Sequence, residues 1–445
     1  MNITNQFDAK FGLVNSWNNT YKKKAIIIYP SNLSNLKKLI NKIKNEKKKF
    51  VIKTGKCSYD SKSINPDDKT FVISLKKFNK IISINEKKKF IIVQSGAMIS
   101  NVINTLKHKN LTLYSVPGGE HISIGGAISA NVIGKDSSKK ISSFGDSVDA
   151  LKVLNKNGII KKINKKSKNL NQYIGSFGML GIITQVKLKV KKIQSPNLEL
   201  TTKILNSLSE IKKELNKKAD YKYIQIDPFF RKQNFSVVFN AVFTKNLKNL
   251  YKNINFKSYF LEKVIFRISS LFINSFTWKI FYKLFFLINK NKKINLDIHN
   301  YHYSSKYKHM VPLICKKGLI DYELLIKKDF EKKMIKIFNF LRQNKLIPIY
   351  IVVKKIFKSK RKFFYQFNDD GYAVAISLDR QKIGKSLRNL FYKFILNQKL
   401  KLNLSKSDEQ LLKITDIKNN LFMSLYKKMI LNNNNELSRK RIRNF

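Results

Sequence analysis

Hydrophobic and polar positions along this chain follow strand and helix periods in turn. From residue 22 the pattern predicts strand, helix, strand. Ala25 to Tyr29 is an apolar run, Pro30-Ser31-Asn32 is a turn and helix cap, Leu33 to Lys47 has helical spacing, and Phe50-Val51-Ile52 is a short strand. Further strands are expected at Phe71 to Leu75 and Phe90 to Val93, with a helix from Ile99 to Lys107 after Gly96. Ala150 to Leu154 and Ile159-Ile160 flank Asn157-Gly158, a pair suited to a hairpin turn. Gly181 to Val190 alternates as a strand and ends near Ser195-Pro196.

Beyond residue 195 the texture changes. Lysine-rich helical patterns, Ser207 to Lys218 and Lys327 to Asn344, alternate with strands at Tyr223 to Ile226, Phe235 to Phe243, Asp321 to Ile326, Pro348 to Val353 and Tyr372 to Leu378. This predicts a separate α+β layer. The tail from Leu400 returns to short strand and helix signals, and no internal repeat is visible.

Composition narrows the classes. With 445 residues, 43% of them hydrophobic, the chain can bury a large core. Two distant cysteines, Cys57 and Cys315, exclude a disulfide framework and a cysteine-only zinc site. The five histidines form no helical metal-ligand pair, so no metal is expected. The N-terminal residues lack an apolar stretch beside a basic one, and no signal peptide is expected. No window reaches the ~18 uncharged apolar residues of a membrane span. A cytoplasmic protein is expected, with peripheral contact at the inner face of the membrane as an option.

The formal charge of +61 admits a polyanionic partner, either nucleic acid or an anionic membrane. Lysine is spread along the whole chain and far outnumbers arginine, which disfavours base readout and favours compositional drift. Residues Phe260 to Asn289 hold many aromatics among lysines. They read as a buried helix of the second domain, or else as an interfacial patch that admits a lipid-linked sugar.

Glycine is scarce, yet twelve of the 16 glycines lie between Gly55 and Gly181. Glycine serves where backbone takes positive φ or lies against a ligand. Four segments carry this density. Lys53-Thr54-Gly55-Lys56-Cys57-Ser58-Tyr59-Asp60 follows a strand as a small-residue turn that can aim amides at an anion. The second runs from Val116-Pro117-Gly118-Gly119 through Gly125-Gly126-Ala127-Ile128-Ser129-Ala130-Asn131, with its two glycine pairs seven residues apart. The third is Ser142-Ser143-Phe144-Gly145-Asp146-Ser147-Val148, and the fourth is Gly175-Ser176-Phe177-Gly178-Met179-Leu180-Gly181-Ile182-Ile183. None has the dinucleotide or P-loop fingerprint of a Rossmann-type site.

In this order and spacing the four segments resemble the FAD-binding domain of the vanillyl-alcohol oxidase/PCMH superfamily, over residues 22–192. Gly134-Lys135-Asp136 followed by Ser143-Phe144-Gly145-Asp146 most resembles the decaprenylphosphoryl-β-D-ribose oxidase branch and its bacterial relatives. Val352-Val353-Lys354, Gly371 to Ser377 and Leu404-Ser405-Lys406-Ser407-Asp408 extend that resemblance more weakly. It implies an α+β fold, with a two-subdomain PCMH-type FAD-binding domain and an α+β substrate (cap) domain built on an antiparallel sheet. The boundaries implied are an N-terminal segment (1–21), the FAD-binding domain (22–194), the cap (195–399) and a C-terminal segment returning to the flavin site (400–445).

The resemblance also implies roles. Amides of Gly55, Lys56, Cys57, Ser58 and Tyr59 would hold the pyrophosphate. Gly118, Gly119, Gly125, Gly126 and Ala127 would line the isoalloxazine and ribityl chain. Gly178 and Ile183 would meet the adenine side. Pro117, Ser129, Asn131, Gly134, Lys135, Ser143, Phe144, Gly145 and Gly181 belong to the same cofactor-binding set. Lys406, Lys354 and Tyr59 match substrate-pocket positions, and Lys406 would stabilise the reduced ring.

Three departures stand out. Ile133 replaces the histidine common in relatives, so covalent flavin attachment at that position is excluded and FAD is expected to be non-covalent. Lys56 and Cys57 stand where Gly and Arg are usual. Ala373 and Ala375 replace polar or thiol pocket residues. The implied reaction is hydride transfer from a sugar or polyol carbinol, with a polyprenyl-phosphate-linked pentose as one substrate. A keto product could pass to a partner reductase. Glu323 and Tyr301 are the candidate bases. Two rivals remain: an oxidase of soluble aldonolactones or alditols, and a nucleic-acid-binding protein on a degenerate flavin fold.

Overall fold

The computed structural model describes residues 3–58, 70–119, 121–136, 141–167, 169–230, 235–245, 268, 271, 274–303, 315–363, 367, 369–403 and 406. Three sheets organise them. The first sheet follows the short helix α1 (Ile3–Gln6) and orders its strands β1 (Ala9–Asn15), β2 (Lys22–Ile28), β4 (Thr70–Ser74), β3 (Lys49–Lys53). β2, β4 and β3 run parallel, which requires a crossover, and α2 (Leu33–Asn45) supplies it. Asn32 caps α2 by accepting from the Asn35 amide at 2.9 Å. Leu36, Leu39, Ile40 and Ile43 then fall on one face and pack on Ile28, Phe50, Phe71 and Ile73. β1 joins this sheet antiparallel to β2, so residues 9–15 of the expected N-terminal segment belong to its edge.

The second sheet is antiparallel and orders β5 (Ile81–Asn85), β6 (Phe90–Gln94), β10 (Ile182–Lys192), β8 (Val148–Leu154), β9 (Ile160–Asn164), with β7 (Leu111–Leu113) on the far end of β10. The helices α3 (Ile99–Lys107), α4 (Ile124–Ser129) and α5 (Leu170–Tyr173) contribute Val102, Ile103, Ala127, Ile128 and Leu170 to its core. Gly96 shows why glycine precedes α3. A Cβ there would stand 2.1 Å from the Leu75 carbonyl oxygen, while its amide donates to the Phe78 carbonyl at 2.7 Å.

The third sheet, antiparallel throughout, orders β14 (Lys293–Asp297), β11 (Asn197–Leu205), β13 (Ser236–Phe243), β12 (Tyr221–Ile226), β16 (Tyr350–Ile356), β17 (Gly371–Asp379), β15 (Leu319–Ile326), β18 (Lys401–Leu402). Strand alternation gives it two faces. Tyr322, Leu324, Ile351, Val353, Val374 and Ile376 lie under α6 (Leu208–Asn216), α9 (Phe330–Gln343) and α10 (Lys385–Asn397). The opposite face carries α7 (Ser275–Ile288) at one end and turns its middle toward the first two sheets. The small helix α8 (Ile298–Tyr303) closes the seam, where Leu198, Tyr221, Phe243 and Ile298 join the core of the second sheet.

Arg361, beyond β16, fastens the two halves. Its guanidinium donates to the carbonyls of Gly145 (2.9 Å) and Val148 (3.1 Å) and to Asn171 Oδ1 (2.9 Å). Ser359 donates to Asp146 beside it.

Because the Leu75 carbonyl is backbone and cannot step aside, Gly96→Ala is expected to destabilise by about 1–3 kcal/mol. Thermal unfolding reads this as a lowered midpoint. Gly12→Ala places its Cβ 3.5 Å from the Ile27 side chain, an ordinary contact, and should stay within about 0.5 kcal/mol of the parent.

Candidate functional site

The four glycine-bearing segments meet at α4. The Ser123 hydroxyl accepts from the Gly126 amide at 3.2 Å and donates to Thr54 Oγ1 at 2.7 Å, which docks the first turn on the second segment. A Cβ on Gly55 would stand 2.7 Å from the His121 carbonyl oxygen. The Lys56 amide donates to that carbonyl at 3.2 Å and is thereby taken from any anion at this turn. The Gly125 amide donates to the Ser95 carbonyl at 2.7 Å. At the other end of α4, the amides of Gly175 and Phe177 donate to the Ile128 and Ser129 carbonyls at 2.9 and 2.8 Å. The third segment joins through the Phe144 amide on the Val132 carbonyl (2.9 Å) and the Gly145 amide on Asn131 Oδ1 (2.8 Å).

Exposure divides the expected cofactor-binding residues. Pro117, Gly125, Ala127, Asn131, Gly134, Ser143, Phe144, Gly145, Gly181 and Ile183 are buried. Gly55, Cys57, Ser58, Gly118, Gly119, Gly126, Ser129, Lys135 and Gly178 are partly exposed, and Lys56 is exposed. Protein contacts alone account for the glycine at 181, where a Cβ would stand 2.7 Å from the Val153 side chain. At Gly178, with φ of +73°, a Cβ would meet nothing within 4 Å. The partly exposed glycines therefore offer main chain and no side chain to a flat ligand, and FAD fits them. Tyr59 lies outside the described residues.

The third sheet carries a charged cluster on the face that packs against Ile133. Lys354 pairs with Ala373 and Glu323 with Ala375, on either side of β17, so all four side chains share one sheet face. Strands two apart are separated by ~10 Å. Alanine at both positions of the intervening strand leaves the face low enough for Lys354 Nζ to reach Glu323 Oε1 at 3.1 Å. Lys406 Nζ meets the same oxygen at 3.1 Å, and Asn403 Nδ2 donates to Glu323 Oε2. Lys354 also donates to the Ile133 carbonyl at 3.2 Å, and Ile133 packs on Leu325 and Ala373. Thus Ile133, at the position where the resemblance implies histidine, is a contact between the two halves.

Burial alone would raise the pKa of Glu323, but Lys354, Lys406 and the Asn403 amide outweigh it and bring it to about 2. Burial lowers the pKa of Lys354, against the pull of Glu323 and with help from Lys406. Asp136 is pushed up to about 7 by burial, although Lys191, the Val116 amide and Lys354 pull it down. The Val116 amide donates to both of its oxygens, at 3.0 and 3.2 Å. Lys135 turns its ammonium to the rings of Tyr223 and Tyr301, 4.6 and 5.0 Å from their centroids.

The structure thus brings Lys354 and Lys406 together. It gives Glu323, a candidate base in the sequence, the role of their shared anchor. Sequence reasoning missed Asn403, Arg361 and the buried state of Asp136. Asp321 and Glu323 did carry a signal, because they are carboxylates in a strand that is otherwise wholly apolar and whose eight residues are all buried.

Residues 24–164 match the protein family described as FAD binding domain. A putative D-arabinono-1,4-lactone oxidase of Neurospora crassa is 28% identical over 187 residues, 41% of this chain and 33% of that protein. A D-lactate dehydrogenase of Anaerostipes hadrus is 32% identical over 126 residues, 27% of this chain and 26% of that protein. Decaprenylphosphoryl-β-D-ribose oxidase of Mycolicibacterium smegmatis is 21% identical over 211 residues, 46% of this chain and 45% of that protein. The matches therefore span less than half the length of these curated relatives. In three dimensions the chain resembles cholesterol oxidase from Brevibacterium sterolicum, with a TM-score of 0.71 at 11% identity, over 90% of this chain and 87% of that one.

Two measurements probe the cluster. Glu323→Gln leaves two ammonium groups facing each other and is expected to destabilise by about 3–5 kcal/mol in chemical denaturation. Asp136 holds its proton in the folded chain up to about pH 7, whereas the unfolded chain releases it near 3.8. Folding therefore binds a proton between those values, and the Asp136 contribution to stability falls as pH rises through that window. Asp136→Asn should flatten this part of the stability–pH curve.

Proposed function

We propose that this chain, whose residues 24–164 match the FAD binding domain family and whose fold resembles that of cholesterol oxidase, is an FAD-linked oxidoreductase oxidising an alcohol carbon of a sugar or polyol. The observation that carries this reading is the charged face built by Glu323, Lys354 and Lys406, set against the converged glycine segments across the Ile133 contact. The names of the relatives add to it. Two carry sugar-derived substrates, and the third a hydroxy acid.

Bound FAD would supply the acceptor for the hydride. The chain's own part is to orient the carbinol and to handle charge. One carboxylate facing two ammonium groups leaves a net positive face, suited to an alkoxide developing on the substrate oxygen. Lys406, the more exposed of the two lysines, is the group assigned to polarise that oxygen. Glu323 is a poor base, because it stays ionised with its oxygens occupied. Tyr301 is also poor, because burial pushes its pKa far up. Lys354 is an ammonium held by Glu323 and the Ile133 carbonyl, has no lone pair for the hydroxyl proton, and serves to position Glu323 and keep the face positive.

The finer substrate reading is a polyprenyl-phosphate-linked pentose, supported by the Gly134-Lys135-Asp136 and Ser143-Phe144-Gly145-Asp146 segments and by the longest of the three curated matches. Its keto product would need a separate reductase. An aldonolactone is the second reading, supported by the lactone oxidase match.

Mixing the purified yellow protein under nitrogen with polyprenyl-phosphate pentoses, aldonolactones, alditols and D-lactate should bleach the flavin band with a sugar-like member of the set. A flavin left oxidised by all of them sinks the substrate class. With the active substrate, Lys406→Ala is expected to slow bleaching by about 10²-fold. An unchanged rate would remove that residue from the chemistry.

A further inference from the structure

Helix α7 is apolar on two opposite sides. One side seats Trp278, Tyr282 and Phe286 against Val237, Phe239 and Leu319 of the cap sheet, and the Tyr282 hydroxyl donates to the Ile349 carbonyl at 2.9 Å. With each residue advancing by about 100°, Phe276, Ile280, Leu284 and Leu287 fall on the side facing away, with Phe281 and Ile288 next to them. All six are exposed, from 42% at Ile280 to 70% at Phe276. Surface helices normally turn polar residues outward. A single exposed leucine needs no explanation, but a continuous apolar stripe marks a contact surface.

Charge decides what kind of contact. Lys279, Lys283 and Lys290 are exposed along one edge of the stripe. From Asn274 to Leu296 the chain holds five lysines and no carboxylate, within a protein of net charge +61. No described helix is long and apolar enough to cross a membrane. We propose that α7 lies flat on an anionic lipid bilayer, its stripe sunk to the acyl boundary and its lysines among the headgroups. Large apolar residues on one side, lysine at the edge and no acid between them are the features such an interfacial helix requires. An extended negative surface complements the whole basic chain as well as this helix. The inference goes beyond the oxidation reaction and needs no turnover to be tested.

The flavin-loaded full chain is floated with phosphatidylcholine vesicles that contain or lack phosphatidylglycerol. Flotation is expected only with the anionic vesicles. Phe276→Asp combined with Leu287→Asp should lower the floated fraction about tenfold, with flavin absorbance and thermal midpoint unchanged. Lys279→Glu with Lys283→Glu provides a second variant that leaves the packed side untouched, and it should also lose flotation. Failure of the parent to float, or undiminished flotation of both variants, would overturn the proposal. So would a parent dimer that the variants dissolve while neither form floats, since the stripe would then be covered by a second copy. Lost bleaching with intact flotation would count against the oxidation reaction alone.

Discussion

The buried carboxylate of Glu323 is the constraint around which the cap's functional face is arranged. A lone charge at such depth is untenable, so the chain must bring partners to it. It does so with three side chains from two places: Lys354 from β16, and Asn403 and Lys406 from the segment beyond β18. One of those partners reaches on to the Ile133 carbonyl of the flavin-binding half. The same ionic knot therefore ties Asn403 and Lys406 to the third sheet and that sheet to Ile133. Replacing it with packed hydrophobic groups could keep the fold, but it would leave the face without net charge.

The flavin-binding half solves a complementary problem. FAD is large, flat and doubly phosphorylated, and side chains get in its way. Thr54, Ser123, Ile128, Ser129 and Asn131 bond the glycine segments to one another around α4, so main chain forms the surface while the buried residues between them fix it. Glycine in this chain has two uses. At positions 96 and 181 it permits close packing of protein on protein, and at 178 it leaves space.

Much of this was legible in the sequence where local chemistry decides. The helix at Ile99 to Lys107 appears with the expected ends, and α2 stops two residues before Lys47. β12, β13, β15, β16 and β17 appear where apolar runs were read, and the glycine-bearing segments converge at α4. β1, β11 and β14 were missed because distant strands complete them. β1 even exposes Phe11 and Leu13, so its pattern has no single buried face. The reach of Lys354 to Glu323 depends on two alanines in a strand between them, and no local window contains all four residues. The segment expected to be either a buried helix or an interfacial one yields, in its described part, a helix with one side buried and the other bare.

Arg361 has a further implication. Its guanidinium bridges the turn at Gly145 and the helix at Asn171, from a segment anchored in the cap sheet. Swinging the cap away as a rigid lid would strip those donors of their carbonyls in a half-buried place, each at a penalty of about 1–3 kcal/mol. Separation of the two halves as rigid bodies is therefore the costly motion.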